Sequence, residues 1–307
     1  MKEYMTKDIR NFTVVGHGDS GKTVLCEAML ASAGVINRIG SIENGTTVSD
    51  YHPDEQERQI SIHATPMHLD WDDIKFNFID APGYLDFIGE ALGAIAVADL
   101  ALIVIHGTHG IEVGTEQMWS YASKKNIPKI LVVNAMDKEH TKFDDIVAMA
   151  RERFGKNVFP LQIPINAGPG FNQVADVIRN ELHEYKTDSS GKYTKGELSG
   201  DWADKIQKMH EELIEHVAES DDELLEKFFE QGGLSEDEMR GGVHKAFQDQ
   251  TFIPLFCTAA VPNIGVSRMM DFVGKYGSSP ADRPAVIGKN PVSDKDIEVK
   301  LDQSDPV

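Results

Sequence analysis

Gly16-His17-Gly18-Asp19-Ser20-Gly21-Lys22-Thr23 is the stretch that decides the fold. Its spacing of Gly, four residues and Gly-Lys-Thr is that of a phosphate-binding P-loop. The flanks agree. Phe12-Thr13-Val14-Val15 ahead of it is a short β-branched and aromatic run that reads as a strand. Val24 to Leu30 behind it holds no breaker and reads as a helix. A glycine-rich turn lets backbone N–H groups face a phosphate with no Cβ in the way. The helix N-terminus adds unpaired donors and the positive end of its dipole. In this pattern Lys22 reaches the β- and γ-phosphates and Thr23 offers its hydroxyl to Mg²⁺.

Outward from the P-loop the chain alternates strands and helices. Residues 35–59 are polar and irregular and read as a long mobile loop. Ile60 to Met67 and Ile74 to Ile79 read as strands joined through Trp71-Asp72-Asp73, an antiparallel pair. Helices are expected over 87–97, 114–125 and 142–153, with apolar strands over 98–105 and 129–133. That rhythm predicts an α/β fold with a mostly parallel central sheet covered on both sides. Pro160 and Pro164 place 159–165 at a sheet edge or in irregular backbone.

The rhythm breaks at Gly168-Pro169-Gly170 and resumes with a strand at Phe252 to Cys257 and a closing helix at Gly265 to Tyr276. Residues 168–250 therefore read as an inserted, largely helical α+β subdomain. It has helices over 202–219, 221–229 and 235–247, and Ser235 with Glu238 has capping-box spacing. Met209, Leu213, Ile214 and Val217 form one apolar stripe on the first of these helices. The expected division is 1–167 and 251–277 for the core domain and 168–250 for the insertion. Residues 278–307 are a proline-marked linker ending in a lone strand, Ile297 to Leu301, with no partner.

At 307 residues the chain can bury one large core or two smaller ones. A net charge of −20 leaves no excess cation to replace phosphate counterions, which argues against a free DNA wrapper but leaves docking through local patches open. Cys26 and Cys257 sit beside apolar residues and read as buried reduced thiols, so a cytoplasmic location is expected. The N-terminal residues show no apolar signal-peptide core, and no run approaches 18 apolar residues, so no membrane span is expected.

Three further motifs follow the P-loop in order. Asp80-Ala81-Pro82-Gly83 ends a strand, where α/β sheets bind ligands. There Asp80 can hold Mg²⁺, usually through water, and the Gly83 N–H can meet the γ-phosphate. Asn134-Ala135-Met136-Asp137 follows the next apolar strand. The Asp137 carboxylate can accept from guanine N1–H and the 2-amino group together, a pair that adenine lacks. Asn134 is expected to tie its loop to the P-loop. Thr258-Ala259-Ala260 forms a small turn after the last strand, and a backbone N–H near Ala260 could reach guanine O6.

With these motifs in place the chain resembles the GTPase region of elongation factor G, and more closely the bacterial elongation factor G-like proteins. The resemblance runs through residues 9–277 and includes Ile36 to Tyr51, Glu112-Val113-Gly114-Thr115-Glu116 and Gly265 to Phe272. It implies a P-loop GTPase three-layer fold, with the insertion in the same place and a β-barrel domain beginning near the end of this chain. It implies GTP/GDP, Mg²⁺ and a monovalent cation as ligands. It also implies action on the ribosome, at the large-subunit factor-binding region, in translocation or recycling. Nucleotide contacts fall to His17, Gly18, Asp19, Ser20, Gly21, Lys22, Thr23, Asn134, Asp137, Ala259 and Ala260. Metal contacts fall to Thr23, Ser61 and Asp80, and catalysis to Asp19, Lys22, Gly83 and Tyr84. His17 is expected to be structural. Asp19 matches the family aspartate that helps hold phosphate and cation, and Ser61 keeps the hydroxyl of the switch threonine.

The chain departs from the family pattern at three positions. Gln59 stands where glycine is usual. Tyr84 replaces the histidine that orients the attacking water, and a phenol has the wrong pKa to mimic it. Ala135 replaces a lysine whose stem covers the guanine face, which should weaken binding without changing base preference. Two readings follow: a working translational GTPase, or a degenerate one that docks by nucleotide state and hydrolyses little. An unrelated P-loop ATPase is disfavoured by Asp137.

Residues 201–230 hold eleven Asp or Glu against three Lys. They read either as a solvated face or as a docking surface for the ribosomal stalk protein or another basic partner. His52 and His63 lie in or beside the switch but lack a third ligand for a metal site. The isolated region is expected to be monomeric.

Overall fold

The computed structural model describes residues 2–231 and 233–299. In chain order the strands are β1 Ile9–Gly16, β2 Thr65–Trp71, β3 Ile74–Asp80, β4 Leu100–His106, β5 Lys129–Asn134, β6 Val158–Pro160, β7 Gln162–Pro164, β8 Gln173–Asp176, β9 Glu181–Tyr185, β10 Tyr193–Gly196, β11 Ile253–Cys257, β12 Val286–Lys289 and β13 Asp296–Val299. The helices are α1 Lys22–Ser32, α2 Pro53–Arg58, α3 Ile88–Val97, α4 Val113–Lys124, α5 Phe143–Phe154, α6 Asp201–Ala218, α7 Asp222–Gln231, α8 Glu236–Gln248 and α9 Val266–Tyr276.

Seven strands form the central sheet in the order β2-β3-β1-β4-β5-β11-β6, all parallel except β2, which runs antiparallel to β3. Every residue of β5, and every residue of β4 but His106, is buried, as a sheet covered on both faces requires. Helix α1 packs against α9, and α3 against α4. This is the expected α/β architecture. Its parallel register lines up the strand ends: Val14 pairs with Asp80, Gly16 with Val104, His106 with Asn134, and Cys257 with Val133. The P-loop, Asp80, Asn134 and Thr258 therefore leave the sheet along one edge, at the carboxyl ends of the strands.

A second, antiparallel sheet has the order β10-β9-β8-β7. The proline-bearing stretch divides at Leu161: β6 is an edge of the first sheet and β7 an edge of the second. Pro160 and Pro164 lie in those edge strands, where a missing N–H is tolerated. Helices α6 to α8 complete this region. The buried positions of α6 are Ile206, Leu213, Val217 and Ala218, while Met209 and Ile214 are half-buried. Ser235 and Glu238 cap α8 reciprocally: the Ser235 Oγ accepts the Glu238 N–H at 3.4 Å, and Glu238 Oε2 accepts the Ser235 N–H at 3.0 Å.

Two expectations are corrected. Ile60 to Ala64 is not strand; β2 begins at Thr65. The amides of Ile62 and His63 donate to the buried Glu55 carboxylate, both at 3.0 Å, instead of to a neighbouring strand. The strand near 297 is also not alone. It pairs antiparallel with β12, which lies within the stretch read as linker, between Pro284 and Pro291. Lys300 and Leu301 lie outside the described residues. Both cysteines are buried and free. No helix among the described residues is long and apolar enough to cross a membrane.

The turn after α9 is pinned to α8 by His244, which lies 3.0 Å from the Tyr276 carbonyl and 3.2 Å from Asp282. The hydrogen bond to Asp282 raises the imidazole pKa above its ordinary 6.5, against burial. Burial favours the neutral Asp282, but His244 and Ser279 outweigh it and hold that carboxyl at about 2. A raised base stabilises the fold below its ordinary pKa and loses that effect as pH climbs through the raised value. A depressed acid stabilises above 3.8 and loses the effect as pH falls toward about 2. The pair is thus strongest between about pH 4 and 6.5. His244→Gln should lower the melting temperature most at about pH 5.5 and least above pH 8. An equal loss at both would show that the proton on His244 is not involved.

Candidate functional site

The P-loop is built so that its backbone turns inward. Gly21 ends it at φ 87°, a left-handed conformation that glycine adopts without strain. A Cβ there would also collide with Asn134 Nδ2. Ser20 Oγ and Lys22 Nζ both donate to the His17 carbonyl, at 2.9 and 2.7 Å. Lys22 is buried, and desolvation lowers its pKa while Asp80 and Asp19 hold the charge. An ammonium already desolvated at the end of a glycine-rich turn is prepared for phosphate oxygens.

His17 lies in the loop but points away from its chemistry. Its Nδ1 accepts the Gly114 N–H at 3.2 Å, and its Nε2 lies 3.5 Å from Glu112. It ties the P-loop to the start of α4. Gly83 presses against the other side, where a Cβ would collide with Lys22 Nζ and stand 2.8 Å from the Gly18 nitrogen. Only glycine allows that approach.

Thr23, Ser61 and Asp80 are brought together. Thr23 Oγ1 donates to Asp80 Oδ2 at 2.8 Å and lies 3.0 Å from Ser61 Oγ. Two residues join them that the sequence did not single out. Ser49 donates to Asp80 Oδ2 at 2.9 Å, and Asp50 is buried close to Asp80 and Ser61. Burial and the Asp80 charge push Asp50 up to about 6, and burial raises Asp80 as well. Asp80 Oδ1 and Asp50 Oδ2 are buried without a hydrogen-bond partner among the described residues. Two crowded carboxylates with unmatched oxygens, ringed by hydroxyls, are a hard-oxygen donor set that fits Mg²⁺. Thr23, Asp80, Asp50 and Ser61 would hold the ion. When bound, it would neutralise charge on phosphate oxygens.

Ser49 and Asp50 belong to the stretch 35–59 read as a long mobile loop, in which the structure places a short helix and buried anchors. Glu27 of α1 is buried and accepts the N–H groups of Gly40 and Val48 at 2.8 and 2.6 Å. The stretch also contains α2, and its Thr47, Ser49, Asp50 and Glu55 are buried. Its anchors are single carboxylates inside a polar run, which leaves no periodic signal in the sequence. Gln59 takes φ 56° at the end of α2, so it keeps a glycine-like backbone despite its side chain. That conformation costs about 1–2 kcal/mol for a residue with a Cβ.

Tyr84 folds back over the P-loop. Its hydroxyl donates to Asp19 Oδ2 at 2.9 Å, and its ring lies against Gly18, where a Cβ would be 3.1 Å from Cζ. The hydrogen bond to Asp19 raises the phenol pKa further, with burial adding to it, so Tyr84 is a donor and not a base at neutral pH. A cavity of about 230 Å³ lies beneath it, walled by Asp19, Lys22, Thr23, Ser61 and Gly83.

On the opposite side, Asn134 joins three segments. Its Nδ2 donates to the Ser20 and Gly21 carbonyls at 3.3 and 3.4 Å. Its Oδ1 accepts Thr258 Oγ1 and the Ala260 N–H at 3.1 and 3.0 Å. The amides of the last turn are partly engaged. The Ala260 amide is taken by Asn134 and the Ala259 amide by the Ile264 carbonyl, so neither is free for guanine O6. The adjacent Val261 amide makes no such bond among the described residues. Asp137 lies three residues past Asn134, half-buried and 3.9 Å from Lys138 Nζ. Ala135 precedes it at φ 63°.

Comparison with known proteins finds a matching family and similar solved structures. The family model of the elongation factor Tu GTP-binding domain matches residues 7–279. A crystallised protein of Thermus thermophilus superposes with a TM-score of 0.84 at 29% identity, over 90% of this chain and 41% of its own. The chain thus spans under half the length of that structure. The match takes in the P-loop, the Asp80 strand end and the Asn134–Asp137 loop, and the chain belongs to the family of elongation factor Tu GTP-binding domains.

Proposed function

We propose that the chain is the GTP-binding and GTP-hydrolysing region of an elongation factor G-like protein that acts in the cytoplasm on the ribosome during translocation. The convergence of Lys22, Thr23, Ser61 and Asp80 at one sheet edge, with Asp137 past Asn134, is the observation that carries this reading. Lys22 and the P-loop amides orient and neutralise the phosphates, and a backbone N–H near Ala260 reaches guanine O6, the Val261 amide being the one without a hydrogen bond among the described residues. The large-subunit factor-binding region would be the docking site, with the acidic helices α6 and α7 facing a basic partner such as the stalk protein.

A second reading is favoured by one contact. Tyr84 spends its hydroxyl proton on Asp19 and cannot accept a proton from water, so hydrolysis would be slow and docking would follow GTP occupancy. Titration with GTP, GDP and ATP in Mg²⁺, then phosphate release by the intact polypeptide with and without ribosomes, separates the two. Guanine-selective binding with stimulated release supports the translocase; binding without stimulation supports the nucleotide-gated binder. No guanine preference would sink both. Tyr84→His should then speed ribosome-stimulated release by at least about tenfold. An unchanged rate would clear Tyr84 of limiting the step.

A further inference from the structure

His52 and His63 are one ligand short of a metal site in the sequence, and the fold supplies the third. His52, Asp54 and His63 each bring one donor atom into a group whose atoms all lie within 4.8 Å of one another. Asp54 Oδ2 is 3.6 Å from His63 Nε2, and the rings of His52 and His63 are 4.6 Å apart. The backbone beneath is already set. The Glu55 N–H donates to Asp54 Oδ1 at 3.2 Å, leaving Oδ2 toward His63. The His52 and His63 amides both donate to the carboxylate of Glu55, at 3.2 and 3.0 Å. One fully buried carboxylate thus holds both sides of the cluster in place. The Asp54 and His63 side chains are 50% and 44% exposed, so an ion can enter from solvent.

We propose that His52, Asp54 and His63 bind a divalent transition cation of the zinc class, with a fourth position left for water. Two imidazoles and a carboxylate are the mixed nitrogen and oxygen set such ions take, whereas Mg²⁺ prefers oxygen alone. Tetrahedral bonds of about 2.0–2.1 Å place donors about 3.4 Å apart. Closing from 4.8 Å needs only rotamer adjustment of side chains near the surface. The bound ion staples the start of α2 to the segment before β2. His63 is two residues past Ser61, so the staple also holds Ser61 beside Thr23 and Asp80. That consequence for nucleotide binding rests on the reading proposed above; the metal site itself does not.

The test is calorimetric titration of the chain, free of any histidine tag and of nucleotide, with Zn²⁺. One ion per chain is expected, with affinity falling at least about tenfold in both Asp54→Asn and His63→Gln and unchanged in His140→Gln. Co²⁺ in place of Zn²⁺ should give the visible absorption of a four-coordinate site, lost in the same two variants. Both variants change exposed side chains, and far-ultraviolet dichroism verifies their folding. Absence of Zn²⁺ binding, or binding that both variants leave unchanged, overturns the site. Hydrogen exchange of the amides at 60–63 should slow at least about tenfold with Zn²⁺; unchanged exchange with Zn²⁺ bound overturns the staple. Failure of guanine binding in the separate nucleotide titration would remove the proposed function and leave this result standing.

Discussion

Asp137→Asn should weaken GDP binding by about two to four orders of magnitude and turn the preference toward xanthosine diphosphate. On the proposed reading the carboxylate would accept from N1–H and the 2-amino group of guanine, and each such hydrogen bond to a charged group contributes about 1.5–3 kcal/mol. Asparagine keeps one acceptor and replaces the other with a donor. It faces the guanine 2-amino group donor to donor, but matches the carbonyl that xanthine carries at the same position. The loop itself should survive the change. The Met136 N–H donates to the Thr258 carbonyl at 3.1 Å, and the Met136 carbonyl accepts the Gly168 N–H at 2.8 Å. Asn134 holds the P-loop independently. Calorimetry with GDP, XDP and ADP reads the result, and unchanged GDP affinity would take Asp137 out of the base site.

Arg268→Ala should destabilise the fold by about 3–5 kcal/mol. Arg268 of α9 donates from Nε and a terminal nitrogen to Asp176 Oδ2 at 3.0 and 2.8 Å, and it also pairs with Asp271. Arg268 is 6% exposed and Asp176 2%. Burial opposes the charge on Arg268, but the two carboxylates outweigh it and raise its pKa. Truncating the arginine strands Asp176 as an uncompensated buried anion, at the place where β8 of the second sheet meets the helix closing the first. The midpoint of thermal unfolding should fall by about 10 °C. The double variant Arg268→Met with Asp176→Leu should recover most of it, because an apolar pair leaves no charge unpaired. A single variant that melts within about 1 °C of the parent would show that water reaches the pair.

What was legible in the chain follows from the range of the interactions involved. A P-loop is a run of eight residues, and its glycines, lysine and threonine act through backbone geometry set within one turn. Burial on both faces leaves β4 and β5 continuously apolar, so they can be read one residue at a time. The capping of α8 by Ser235 and Glu238 spans three residues. Strand-end motifs carried further, because parallel pairing sends every strand end to the same edge.

The sequence by itself thus determined the architecture and the segments that meet at the nucleotide edge. Only the tertiary structure decided which side chains complete the site. Asp50 reaches Asp80 across thirty residues, Tyr84 reaches Asp19 across sixty-five, and Asn134 occupies the Ala260 amide from over a hundred away. The trio of His52, Asp54 and His63 is likewise set by a buried carboxylate, that of Glu55. These contacts leave no periodicity, because a polar side chain in an irregular loop is positioned by whatever buried carboxylate or amide the fold delivers to it, and that delivery depends on packing between distant segments.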